Sequence, residues 1–190
     1  VKKIIVSIFV SFLGTISIAQ FKLTENEQAT AFKEKEDLIE ILSLAENLYL
    51  EKLNAFRKTK KTQELTSDIV VGLMAMNHSI WMRHHEKMTH DQTKNSKFFS
   101  GSTLMKRLEF VSEKLSVGLI GENVAYISIT EQDQNKSKDL LAEQIAENFF
   151  QLWKKSPPHK ENMLEKTFKK SGLSFLKINN IIYGTQVFSD

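Results

Sequence analysis

Apolar residues recur at helical spacing over several stretches of the chain and alternate near its end. From Glu36, the positions Leu38, Ile39, Leu42, Ala45, Leu48 or Tyr49, Leu53 and Phe56 keep to one broad stripe. They predict a helix that fades into a basic loop from Lys58 to Gln63. A second helix is expected from an N-cap at Ser67 or Asp68 to about Glu86, with Ile69, Leu73, Met76, Ile80 and Trp81 on its apolar side. Residues 87–101 show no period and predict a long loop, followed by a short helix from Ser102 to about Lys114. Residues 118–130 become β-like after Gly118 and Gly121. Ser137 caps a further predicted helix, Lys138 to Lys155, carrying Leu141, Ile145, Phe149, Leu152 and Trp153. The end reads as a hairpin: Leu173, Phe175 and Ile178, a turn at Asn179-Asn180, then Ile182, Tyr183, Thr185, Val187 and Phe188. Helices followed by a late antiparallel sheet predict an α+β fold, with a three-layer arrangement as the natural packing.

The first residues follow another logic. Lys2 and Lys3 precede an uncharged apolar run, Ile4 to Ile18, closed by Ser17-Ile18-Ala19. This pattern predicts a secretory signal peptide over residues 1–19, cleaved after Ala19, leaving a secreted or periplasmic protein. The run falls short of the roughly 20 residues of a spanning helix, so no transmembrane anchor is expected. The initial valine reads as an alternative start codon and points to a bacterial source. Residues 20–35 are polar and weakly periodic and predict a tail or linker; the domain proper is expected over 36–190.

Charge and composition narrow the function classes. The 26 basic against 23 acidic side chains give a formal charge of +3. Loss of Lys2 and Lys3 with the leader lowers it to +1, so nucleic acid is not an expected partner. The chain contains no cysteine. That excludes disulfides, Cys-ligated zinc, iron–sulfur clusters and thiol nucleophiles. The sequence has no nucleophile elbow, P-loop or dinucleotide fingerprint. His85 and His90 are five residues apart, one too many for the H-E-x-x-H zinc motif, whose two histidines must share a helix face. His84 and His85 suit the C-terminal end of a helix as exposed cations. His78, beside Trp81 and Met82, reads as a satisfied, semi-buried histidine, and Arg107 as either a surface residue or the partner of an acid.

Dense strings stand out: Gly121-Glu122-Asn123-Val124-Ala125, then Trp153 through Ser156-Pro157-Pro158-His159-Lys160-Glu161-Asn162-Met163-Leu164, then Thr185-Gln186-Val187-Phe188. Leu53-Asn54-Ala55-Phe56-Arg57 and Ala75-Met76-Asn77-His78-Ser79-Ile80-Trp81-Met82, with His90 beyond, precede them in order. Together they resemble the CAP superfamily of cysteine-rich secretory, antigen 5 and pathogenesis-related proteins, in its bacterial secreted branch. The resemblance covers about residues 40–190.

That resemblance implies an α-β-α sandwich with a central antiparallel sheet and a groove where two His and two acidic residues can hold a divalent cation. His90 and Glu122 match one His and one Glu of that set. The second His position falls at Tyr183 and the second acidic position at Ser156, so two of four are substituted. His159 could supply an imidazole, although Pro158 before it replaces the usual glycine. His90, Glu122 and His159 would then form a two-His, one-carboxylate set of the kind that zinc accepts, with Tyr183 or water at an open position and Gln186 reaching the groove. The alternative is a metal-free polar cluster. Three functions remain open on this reading. One is a binding module for a small molecule, lipid or peptide. Another is a metal-dependent hydrolase with Glu122 as general base. The third is a structural or interaction protein of the cell envelope.

Overall fold

The computed structural model describes the backbone of residues 25–112 and 117–190 and the side chains from residue 35 apart from that gap. The expected signal peptide lies outside the described residues. Helix α1 spans Glu25–Thr59. It begins within the stretch expected to be a tail, because the polar run from Glu25 to Glu36 consists mostly of good helix formers and contains no Gly or Pro. The compact unit itself covers Asp37 to Asp190.

Four strands form one sheet in the order β1-β3-β4-β2. They are β1 (Thr66–Ser67), β2 (Ile120–Ser128), β3 (Lys170–Ile178) and β4 (Ile181–Ser189). β3 and β4 make the expected hairpin, with Asn179 in the left-handed region at φ 51°, and β4 pairs antiparallel with β2 along its whole length. The sheet is mixed rather than antiparallel throughout, since the short β1 pairs parallel with β3 through Thr66 and Ser67. β1 escaped the sequence reading because two exposed residues carry no alternation.

Alternation along β4 sets the layers. Ile182 and Phe188 point into the larger core with Leu42, Ala45, Tyr49 and Leu53 of α1 and with helix α5 (Lys138–Lys155). Tyr183 and Val187 point to the other side, toward α2 (Ile69–His85) and, at Val187, α3 (Leu104–Val111). The result is the expected three-layer α-β-α arrangement. Two smaller elements complete it, α4 (Glu131–Gln134) and α6 (Pro157–Leu164). α6 starts where the fixed φ of Pro157 and Pro158 suits a first helical turn. No described helix is long and apolar enough to cross a membrane.

Asp68 caps α2 through bonds from the Val70 and Val71 amides, but its buried face is not the one the spacing suggested. Ile69, Leu73 and Met76 are exposed, while Val71, Met74, Ala75, His78, Ser79 and Met82 are buried with Trp81. The reason is close backbone approach. A Cβ on Gly172 of β3 would lie 2.1 Å from the Gly72 amide nitrogen, so the helix backbone crosses the sheet against Gly172, and this crossing turns the Val71, Met74, Ala75 and His78 side inward.

Candidate functional site

Strand alternation orients the site. In β2, Glu122 pairs with Val187 and so faces α2 and α3, whereas Asn123 beside it faces the opposite way. The GEN string lies within strand β2, in the stretch whose composition predicts β structure. Glu122 is buried, and three cations or potential cations converge on it. Arg107, fully buried on α3, donates from Nη2 to Oε2, and His90 donates from Nδ1 to Oε1 at 3.0 Å. His78 Nε2 stands 3.9 Å from the same oxygen. Arg107 also donates from Nη1 to the His90 carbonyl at 2.7 Å, clamping the loop and the carboxylate together. Gly101 permits this approach: its φ is +155°, and a Cβ there would lie 2.5 Å from the Arg107 amide nitrogen.

Loop 87–101 has no regular structure, yet side chains order it. His78 Nε2 bonds the Thr89 carbonyl at 2.7 Å, which requires Nε2 to carry the proton. Its Nδ1 then accepts from Gln92 Nε2 at 3.1 Å. Gln92 Oε1 receives the Ser100 amide at 2.7 Å. His78 is thus a satisfied core histidine, and burial pushes its pKa down to about 4. His90 moves the other way: the bond to Glu122 raises it above the ordinary imidazole value against partial desolvation. Burial pushes Glu122 up, but the His90 bond and the charges of His78, Arg107 and His90 outweigh it, leaving the carboxyl below its ordinary range. The acid for Arg107 that the sequence left open is Glu122.

His159 sits on α6, which docks on β2 through Asn162 and Asn123. Asn123 Nδ2 donates to the His159 carbonyl at 3.1 Å, and Asn162 Nδ2 donates to the Glu122 carbonyl at 3.1 Å and to Asn123 Oδ1 at 2.9 Å. The imidazole is half-buried and its Nδ1 is enclosed without a hydrogen-bond partner. Burial lowers its pKa, and the nearby charge of His90 adds to that. The His90 side chain thus bonds Glu122 directly, whereas His159 is tied to the strand through its carbonyl and Asn123.

Tyr183 and Gln186 are not part of this group. Tyr183 faces α2 but pairs with Tyr126, four residues along β4 from the partner of Glu122, about 13 Å at strand rise. It packs with Trp81, Met82 and Val124. Gln186 lies on the other face, where Tyr49 Oη donates to its Oε1 at 2.8 Å and its Nε2 donates to Ser171 Oγ at 2.9 Å.

The donor chemistry does not suit a metal. Among the described residues no group of three or more His, Cys, Asp or Glu side chains is arranged to hold one. The geometry gives the cause: Glu122 Oε2 is bound to a buried guanidinium and Oε1 to His90 Nδ1. A cation entering here would have to displace Arg107 or sit against its charge.

These strings, now placed in space, match a family model, that of the cysteine-rich secretory protein family, over residues 50–188. The chain belongs to the CAP family. Among solved structures it is similar to an outer surface protein from Borrelia burgdorferi, at 20% identity and a TM-score of 0.58 over 82% of this chain and 93% of that one. It is also similar to an extracellular protein with an SCP domain from Bacillus anthracis, at 21% identity and a TM-score of 0.55, over 90% of this chain and 45% of that one. A cysteine-rich secretory protein from Staphylococcus aureus gives 14% identity and a TM-score of 0.50, over 78% and 38%. These likenesses bear on the CAP fold alone. No curated protein matches the sequence.

Proposed function

We propose that this CAP protein is an extracytoplasmic binding module in which His90 and His159 offer imidazole edges to a polar ligand group above the Glu122–Arg107 pair. The observation that carries this reading is the division of labour at the cluster. Glu122 and Arg107 are sealed, with both carboxylate oxygens bound and Arg107 Nε enclosed without a partner, while the His90 side chain remains 55% exposed and His159 also keeps an enclosed nitrogen without a partner. A hydrolase is disfavoured by the same geometry, because a general base must reach the proton it removes. Both oxygens of Glu122 are committed, and its carboxylate is held in the ionised, weakly basic form. The leader-like Lys2-Lys3 and Ile4–Ile18 pattern supports export, as do the surface and extracellular origins of the relatives.

Native mass spectrometry of the protein purified from the exported fraction tests both parts. A co-purifying small molecule, lipid or peptide should be retained by the wild type and lost from the His90→Ala/His159→Ala double variant. Equal retention by that variant would overturn the site. An N-terminus at Gln20 supports export; one that still carries Lys2-Lys3 contradicts it.

A further inference from the structure

On the face of the sheet opposite His90 and Glu122, α1 leaves a pocket of about 80 Å³ against the β1–β3 end. Glu46, Asn47, Tyr49, Ser67, Ser171 and Gln186 line it, with Leu50 and Leu173 at its sides. The volume is that of two or three water molecules, far below the 300 Å³ or more of a drug-sized site. Only a compact group fits.

The floor is organised by the Tyr49–Gln186–Ser171 chain of hydrogen bonds. This fixes Gln186 with Oε1 toward Tyr49 and one lone pair to spare. Glu46 accepts the Phe175 amide at 2.7 Å through Oε1, and Oε2 has no hydrogen-bond partner among the described residues. Nor does any described Lys, Arg or His pair with this carboxyl, in contrast to Glu122. Glu46 is half-buried, and a carboxylate drawn partly out of water without a counter-charge is costly. Burial accordingly raises Glu46 to about 7, the Phe175 amide opposing the rise only in part. An anion would be repelled here, and a divalent ion would find a single carboxylate where calcium takes six to eight oxygens.

We propose that this pocket binds a compact primary ammonium group, with the Glu46 carboxylate as counter-charge and the amide and hydroxyl oxygens around it as acceptors. The site is separate from the His90 cluster, and its occupancy does not depend on the function proposed there.

The test follows the Glu46 side-chain carboxyl by ¹³C NMR as a function of pH, in methylammonium chloride and in potassium chloride of equal ionic strength. Glu46 is expected to titrate near 7 in potassium and about one unit or more lower in saturating methylammonium. Because only the ionised carboxyl binds, affinity falls about tenfold from pH 8 to pH 6. Glu46→Gln keeps an acceptor for the Phe175 amide and loses the binding. Nα-acetyl-lysine amide forms a second arm: tighter binding than methylammonium assigns a protein lysine as the source, and equal binding assigns a free amine. Identical titrations in the two salts overturn the proposal, as does undiminished binding by Glu46→Gln.

Discussion

Replacing Arg107 by alanine should cost about 3 kcal/mol or more, within the 3–5 kcal/mol typical of breaking a buried ion pair from one side. The Arg107 side chain is 0% exposed and that of Glu122 3%, so water cannot replace the lost partner. The carboxylate keeps only the His90 bond at 3.0 Å, and the His90 carbonyl loses its own donor. The surviving His90 contact places the expected cost toward the low end of the range. That is still a large share of the roughly 5–15 kcal/mol total of a domain. Urea unfolding read by Trp81 and Trp153 fluorescence measures it, since both indoles are buried. The sign with pH is specific. Loss of the guanidinium removes one of the charges that hold the carboxyl ionised against burial, so Glu122 is protonated more readily in the variant and the deficit should shrink as pH falls from 7 toward 4. Adding Glu122→Gln to Arg107→Ala should recover part of the loss at pH 7. A deficit below about 1 kcal/mol, or one independent of pH, would refute the assignment of a sealed ion pair.

Two further outcomes follow from the same region and from the clamp beneath it. His78, lowered from its ordinary value to about 4, favours unfolding when protonated; its contribution is full above pH 6.5 and is lost progressively from there to pH 4, by up to about 3 kcal/mol. His90, raised by Glu122, runs oppositely, stabilising when protonated and losing that contribution as pH rises through its own pKa. Site-resolved histidine NMR should therefore find His78 neutral and His90 charged at pH 6, and the reverse order would refute the cluster as drawn. Arg57 is fully buried and donates to four backbone carbonyls, those of Gln63, Met163, Glu165 and Phe168. Arg57→Ala strands all four and should lower stability by about 3–5 kcal/mol in thermal or urea unfolding, and a near-neutral result would show that these carbonyls find other donors.

The residue strings made the family legible because each serves a local geometric need. Asn54 exchanges bonds with the Leu65 backbone, Arg57 gathers carbonyls from the loop after α1 and from the end of α6 and the segment beyond it, and Asn123 and Asn162 bind α6 to β2. Side-chain placement was less legible, for reasons that differ by residue. The buried face of α2 was missed because this helix is apolar almost all round, so periodicity does not single out a stripe; the decisive signal was the close approach of Gly72 and Gly172, a tertiary fact. Arg107 could not be assigned because its partner lies on a different element, and no local pattern joins α3 to β2. Tyr183 and Gln186 are a different matter. Three residues apart on one strand, they must point to opposite faces, so a single site could never have held both. Pairing Tyr183 with the α2 face would have sent Gln186 toward α1, and with it attention to the second pocket. The same two-residue period separates Glu122 from Asn123. It assigns the carboxylate to a sealed ion pair and the amide to the docking of α6, and on the proposed function this division leaves imidazole, not carboxylate, to meet a ligand.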